Sequence, residues 1–447
     1  MGTVSDKLVF LGQTKADIRT AIQNKGVLVP AETTFRNYAT KIDDIILGHP
    51  EAYVRHHDWL EIRSIADGYN DIFIGLVFIQ DVPLNVATIR AYGNYTVDWG
   101  DGVTENYNSG VLSEHNYNYA NHVGTESDRG YRQAIIKVTP NGSTFTNVGV
   151  TTKGPSYIAL TGILLDVVMK GVNVNSHIMG GQGGILYHRF LECFEFIGTN
   201  KVTNCESWFM NLSGLIKCTL GVSTAVGGYT YFRQMFYYNV SLRELNLVDT
   251  INVTNFENAF NSCYSLYNFP AFNFKKATAM ASAFQNANIK ELTLNIDANA
   301  AMTQAFYGCK VKKLTINAPL VLNLVTTFSL ATINELILNV GKVTSTGKCF
   351  KQTNINTIPA IDLMNHGAFD GETILYSTAQ KVLLYNIKNT FSVNGMALGK
   401  DALVTLFNNL MTVTVATNIT ITGTLGASLL TVDDRLIATN KGWTIVG

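Results

Sequence analysis

Apolar positions in the middle of the chain recur with a nearly fixed step. A phenylalanine stands at Phe209, Phe236, Phe260, Phe284, Phe306, Phe328 and Phe350, at intervals of 27, 24, 24, 22, 22 and 22 residues. Five or six residues after each comes an aliphatic side chain: Leu215, Leu242, Leu266, Ile289, Val311, Ile333 and Ile355. Each opens a segment of the form apolar-x-x-apolar-x-apolar, clearest in LRELNL, IKELTL, VKKLTI and INELIL. Weaker versions start at Leu164, Leu191, Leu215, Leu266, Ile355 and Ala379, giving about ten rungs. A fixed period of this length predicts a solenoid, because one rung cannot bury its apolar edge while stacked rungs share a continuous core.

Strand alternation turns Leu292 and Leu294 inward, with Leu314 and Ile316, then Leu336 and Leu338, on the next rungs. The phenylalanine column is expected to fill the wider opposite side as the structural core of the repeat. Parallel strands stack about 4.8 Å apart, so ten rungs make a rod on the order of 45–50 Å long. The outward position carries Glu244, Glu291, Lys313 and Glu335, candidates for a binding face on the solenoid. Asn295, Asn317 and Asn339 form a ladder expected to satisfy turn backbone groups. Cys263 and Cys309 share a slot that Ala287 and Ala331 also fill, which marks a small-residue position rather than a metal site.

The flanks follow other patterns. Residues 1–50 read as two short helices. One opens at a Thr14/Asp17 capping box with Ile18 and Ile22 on one face; the other carries Phe35, Tyr38, Ile42 and Ile45 at helical spacing. These six apolar residues are candidates for docking to a partner. Residues 51–150 show short strands at Trp59–Ile62, Ile72–Ile79, Ala87–Ala91, Tyr95–Asp98 and Ala134–Val138, separated by turn residues, as in a β-sandwich. Residues 151–395 hold the repeats. Residues 396–447 read as a cap: a helix at Ala402–Met411, a strand at Asn418–Thr422, a helix capped by Thr431 and a final strand at Trp443–Val446.

Composition narrows the function. The 33 basic and 33 acidic residues cancel, and charged residues are 15% of the 447, against about 25% in an average soluble domain. No basic footprint for nucleic acid is present. The longest apolar run, Ile72–Ile79, is far short of a bilayer span. No apolar signal core follows the charged N-terminus, so the chain is expected to stay in the cytosol of the cell that makes it. Six cysteines without ligand spacing read as buried hydrophobes. No Walker A loop, G-x-S-x-G elbow or H-E-x-x-H is present, and His56-His57 reads as a lone pair on a loop. Asp98 and Asp101 supply too few oxygens for a calcium site and are expected to cap turn amides. Gly180–Gly184 lacks a phosphate-binding lysine and reads as a turn. No enzymatic activity, catalytic residue, cofactor or metal is expected.

Three resemblances extend this reading. The first 45 or so residues, with T-K-x-x-I-x-x-A-I-x-x-K-G and F-R-x-Y-x-x-K-I, resemble a recurrent N-terminus of tailed-bacteriophage structural proteins. Trp99–Gly102 (WGDG), His115–Tyr117 and Gly130–Val138 are similar to the PKD-type immunoglobulin-like domain, with a longer loop before Tyr131. The elements AFNSC, AFQNA and AFYGC before the strands resemble BspA-type leucine-rich repeats, and IATNKGWTI resembles their closing element, which implies that the solenoid closes here. Together they imply a mostly β virion protein: a helical docking segment, a PKD/Ig-like sandwich, a leucine-rich-repeat solenoid with a parallel sheet, and an α/β cap. The implied partners are other virion proteins through the N-terminus, further copies of the chain (a trimer if it is a fibre), and a host-surface protein or glycan. A tail or head fibre is the expected role. The alternatives are a collar, baseplate or capsid-decorating protein without a receptor role, and a bacterial surface adhesin.

Overall fold

The computed structural model describes residues 4–23, 29–30, 33–34, 38, 53–142, 144–149, 162–178, 189–247, 250–341, 343–365 and 372–447. The chain divides into two compact units, Met1–Ala52 and Tyr53–Gly447. It is mostly β, with 11% helix and a β-solenoid of about 11 turns.

In the first unit helix α1 (Val4–Gln23) begins ten residues before Thr14. No proline interrupts Val4–Gln13, and Gly12 faces open space, so the helix runs through it. Thr14 is therefore an interior residue rather than a cap; its hydroxyl donates to the Phe10 carbonyl at 2.9 Å. Ile22, Val29 and Tyr38 are buried together with Ile18 packed against them. Arg19 Nε donates to the Val29 carbonyl at 2.9 Å. Phe35, Ile42 and Ile45 lie outside the described residues, as does most of the expected second helix.

The second unit opens with a turn and a short helix, α2 (Arg63–Ala66). The expected strand at Trp59–Ile62 is absent because the Trp59 N–H closes a turn onto the His56 carbonyl. Seven strands follow: β1 (Ile72–Ile79), β2 (Val86–Tyr92), β3 (Tyr95–Asp98), β4 (Thr104–Tyr107), β5 (Leu112–Asn116), β6 (Arg132–Pro140) and β7 (Asn147–Gly149). They form two sheets, and both run on into the solenoid. β1 lies between β6 and β8 (Leu164–Lys170), antiparallel to both. β7 pairs in parallel with β9 (Ser176–Ile178). The first sheet then continues in parallel through β10 (Cys193–Phe196), past β11 (Thr199–Asn200), to β12 (Lys217–Thr219), past β13 (Val222–Ser223), to β14 (Glu244–Asn246). β11 and β13 pair on a second side. One hydrophobic core reaches from Trp59 to Trp443, so residue 150 marks no break in packing.

The central rungs are β15 (Asn288–Asn295), β16 (Lys310–Ala318) and β17 (Thr332–Val340), in the expected register: Leu292, Leu314 and Leu336 align, as do Leu294, Ile316 and Leu338. Between β14 and β15 the rung from Leu266 forms no strand. Pro270 has no N–H to give the ladder. Phe269 and Phe272 instead turn onto Phe260, at ring separations of 4.9 and 5.6 Å. β18 (Thr357–Ile358) stops at Pro359 and pairs with β19 (Lys381–Val382). The C-terminal stretch stacks β20 (Phe391–Ser392), β21 (Thr417–Thr420) and β22 (Trp443–Val446) in parallel, with α3 (Lys400–Asn408) and α4 (Val432–Thr439) between them. Thr431 and Asp434 form a capping box on α4. Lys441 Nζ donates to the carbonyls of Phe407, Asn408 and Leu410, past the end of α3.

The seven repeat phenylalanines are fully buried and make one stack. Successive rings lie 5.2–5.9 Å apart and within 6–19° of parallel. Each Phe N–H from Phe209 to Phe350 donates to the next rung; that of Phe236, for example, reaches the Ala259 carbonyl at 2.9 Å. Two residues before and two after each phenylalanine the backbone is left-handed. Around Phe236 these are Gln234 (φ 55°) and Tyr238 (φ 61°), and around Phe328 they are Thr326 (φ 54°) and Leu330 (φ 60°). That conformation costs a non-glycine residue about 1–2 kcal/mol. Removing a ring from mid-stack, Phe284→Ala, is expected to cost about 3–5 kcal/mol in denaturant unfolding. At Gln352, exposed with φ 56°, Gln352→Gly is expected to hold or raise stability by about 0.5 kcal/mol. Gln352→Val, β-branched, should lower it by about 1 kcal/mol in the same assay.

Candidate interaction surface

The outward strand position forms one column up the solenoid. Register places Asp166, Cys193, Lys217 and Glu244 on adjacent strands of the first sheet and Glu291, Lys313 and Glu335 on adjacent strands of the central sheet. The two halves have different fates.

Residues 53–66 lie over the first half, where Asp166 and Cys193 are buried and Lys217 and Glu244 half-buried. Asp166 has no exposed side-chain surface. Its carboxylate accepts from Arg55 Nε at 2.7 Å and from Arg63 Nη1 and Nη2 at 2.9 and 3.2 Å. Arg63 also donates to Glu195 Oε2 at 3.0 Å and to Cys193 Sγ at 3.3 Å. Glu244, expected on the open face, accepts the Tyr53 N–H and lies 3.6 Å from Lys217 Nζ. A buried carboxylate needs such partners, because desolvating it unpaired costs several kcal/mol. The signal for this cluster was an aspartate inside the apolar run LLDVVM, which demands a cation from elsewhere; the sequence did not say which.

The second half is open. Glu291, Lys313 and Glu335 are exposed, and Lys313 Nζ lies 3.2 Å from Glu335 Oε1. Beside them run Thr293, Thr315 and Ile337, then the asparagine ladder. Asn317 Nδ2 donates to Asn295 Oδ1 at 2.8 Å and Asn339 Nδ2 to Asn317 Oδ1 at 2.6 Å. The result is a flat, nearly neutral, polar face three strands wide, rich in paired donors and acceptors.

A concave site of about 320 Å³ lies where the two β regions meet, lined by Phe78, Tyr131, Arg129, Arg189, Phe190 and Glu192 among others. Phe190 packs edge-on to Phe78 at 4.9 Å, with the Arg189 guanidinium 4.9 Å over its ring. Aromatic walls with charged hydrogen-bonding groups suit a small polar ligand.

Other candidate groups are structurally engaged. Asp98 accepts from the Gly100 N–H and pairs with Lys137; Asp101 accepts from the Val103 N–H and contacts His115 Nε2 at 2.7 Å. His115 stacks on Trp99 at 5.0 Å. Gly100 has φ +81°, and a Cβ there would meet the Ile135 carbonyl oxygen at 2.4 Å, so the WGDG turn requires glycine. All six cysteines are buried and unpaired, and burial pushes their thiols up, away from thiolate chemistry. Residues 180–184 lie outside the described residues. Among the described residues no helix is long and apolar enough to cross a membrane.

No protein-family model, curated protein or solved structure matches the chain.

Arg63→Met is expected to cost about 3 kcal/mol or more in chemical unfolding, because it leaves the Asp166 charge under-compensated. Adding Asp166→Leu should recover most of that loss. A double variant no more stable than the single one would show that packing, not charge, governs the site.

Proposed function

We propose that the chain is a non-enzymatic structural protein of a tailed-phage particle, of fibre or appendage type. Its first unit docks on other virion proteins, and its solenoid presents a face to a host-surface protein or glycan. The observation that carries this reading is the open polar face of β15–β17 on a regular stack, while the equivalent column of earlier strands is covered by the chain itself. A repeated surface kept free over successive rungs is what solenoids use to bind extended partners.

The N-terminal resemblance to phage proteins supports the docking half, as does a compact first unit of its own. Ile22 and Tyr38 are consumed by that unit's core, with Ile18 beside them. Phe10 and Leu11, 71% and 55% exposed, are better placed to meet a partner. We read residues 51–150 as a PKD-type immunoglobulin-like spacer, on the WGDG turn and the division of its strands between two sheets. We read residues 396–447 as an α/β cap that closes the solenoid core.

Immunogold labelling with antibody to the chain is expected to decorate purified particles at an appendage. The purified full chain should compete with particles for adsorption to host cells. Glu291→Lys with Glu335→Lys, which makes the column uniformly basic, is expected to weaken that competition at least tenfold without changing the far-UV spectrum. Labelled particles without competition would favour a collar, baseplate or decorating protein. Unlabelled particles would overturn the virion reading and favour a surface adhesin.

A further inference from the structure

Two histidines set aside as a lone pair on a loop meet a third ligand. Among the described residues His56, His57 and Asp128 bring one donor atom each to within 4.8 Å of one another. His56 Nε2 lies 3.7 Å from Asp128 Oδ1 and His57 Nε2 lies 4.0 Å from Asp128 Oδ2. In a tetrahedral site with bonds of about 2.0–2.1 Å, ligand atoms stand about 3.3–3.4 Å apart. Closing onto one ion through a single Asp128 oxygen therefore asks donor atoms now up to 4.8 Å apart to approach by as much as about 1.4 Å, a movement open to the exposed His57 ring and the exposed Asp128 carboxylate.

The surroundings set the chemistry. His56 Nδ1 lies 2.6 Å from Asp58 Oδ1. With Nδ1 held against the Asp58 carboxylate, the other ring nitrogen, Nε2, faces the Asp128 carboxylate. A carboxylate behind a histidine that points its other nitrogen at an ion is the usual outer-shell arrangement of metal sites.

The frame is already braced. Asp58 Oδ2 accepts the Asp128 N–H at 2.7 Å and the Asp58 carbonyl accepts from Gln133 Nε2 at 3.0 Å, tying the two loops together. The Trp59 and Gly130 N–H groups close the turns that carry the ligands. The nearby Arg129 cation is occupied by Glu192 at 2.7 Å.

We propose that His56 Nε2, His57 Nε2 and Asp128 form a binding site for a divalent transition-metal ion of the zinc class, with Asp58 as the positioning residue behind His56. Imidazole and carboxylate ligands suit zinc, nickel or copper. Three protein ligands leave a position for water or a partner's side chain, and the ion would clamp residues 53–60 to the loop before β6.

The test uses the untagged full chain, stripped with chelator and titrated with zinc by calorimetry, with bound metal counted by mass spectrometry. About one zinc per chain is expected, with a raised unfolding midpoint. His57→Ala and Asp128→Asn should weaken binding at least tenfold, and Asp58→Asn by 10- to 100-fold while all three ligands remain. His57 is exposed, so His57→Ala should leave the metal-free midpoint unchanged. Nickel should quench part of the tryptophan fluorescence, because the Trp59 ring lies 6.2 Å from His56; Trp59→Phe should remove that part. No zinc retained, or zinc bound equally by wild type and His57→Ala, overturns the site.

Discussion

The stack of phenylalanine rings depends on a backbone that would not hold itself in place. One residue on either side of every ring, two positions away from it, sits in the left-handed region; these positions are filled by Ser, Asn, Gln, Tyr, Thr, Lys and Leu as well as by Gly308. Each carries a conformational penalty that a lone turn would relax. It persists because the turn is pinned from both directions. The ring is clamped between its neighbours, and the Phe N–H and those of the flanking residues donate to the next rung. Stacking fixes the turn, the turn aims its N–H groups along the axis, and those bonds hold the rungs at stacking distance. No single rung has this arrangement available to it, which makes the array cooperative between neighbours.

The same logic explains the small residues around the column. Cys263, Ala287, Cys309 and Ala331 each stand three residues after a ring and are fully or almost fully buried. The N–H of each returns to the carbonyl of its own phenylalanine. On other rungs the same buried slot holds Leu212, Asn239 and Thr353, so its size varies along the stack. The cysteines belong to packing, not to chemistry.

The repeat was legible because its period, inward aliphatic pair and asparagine ladder all reflect contacts between equivalent positions, which a sequence displays as a spacing. Contacts between inequivalent positions were not legible. Nothing in the spacing of Arg55, Arg63 and Asp166 joins them, and the clustering of His56 and His57 with Asp128 depends on two loops 70 residues apart. Local exceptions were half visible: Pro270 was in plain view, but its effect on the Leu266 rung came from two phenylalanines that had somewhere better to go. Thr14 misled because a capping box and an interior threonine have the same local sequence, and only the residues upstream decide between them.

The covered half and the open half of the outward column share one origin. β1 lies antiparallel against β8, so the first strands and the solenoid share a single sheet, and residues 53–66 lie across one of its faces. Residues 53–66 cross it over the first strands. They bring two arginines to a buried aspartate and a backbone N–H to Glu244, and these contacts bury Asp166 and leave Glu244 half-buried. The crossing is short, so its cover ends before β15. The open face therefore begins at β15, beyond the reach of the entering segment and beyond the strandless rung at Leu266.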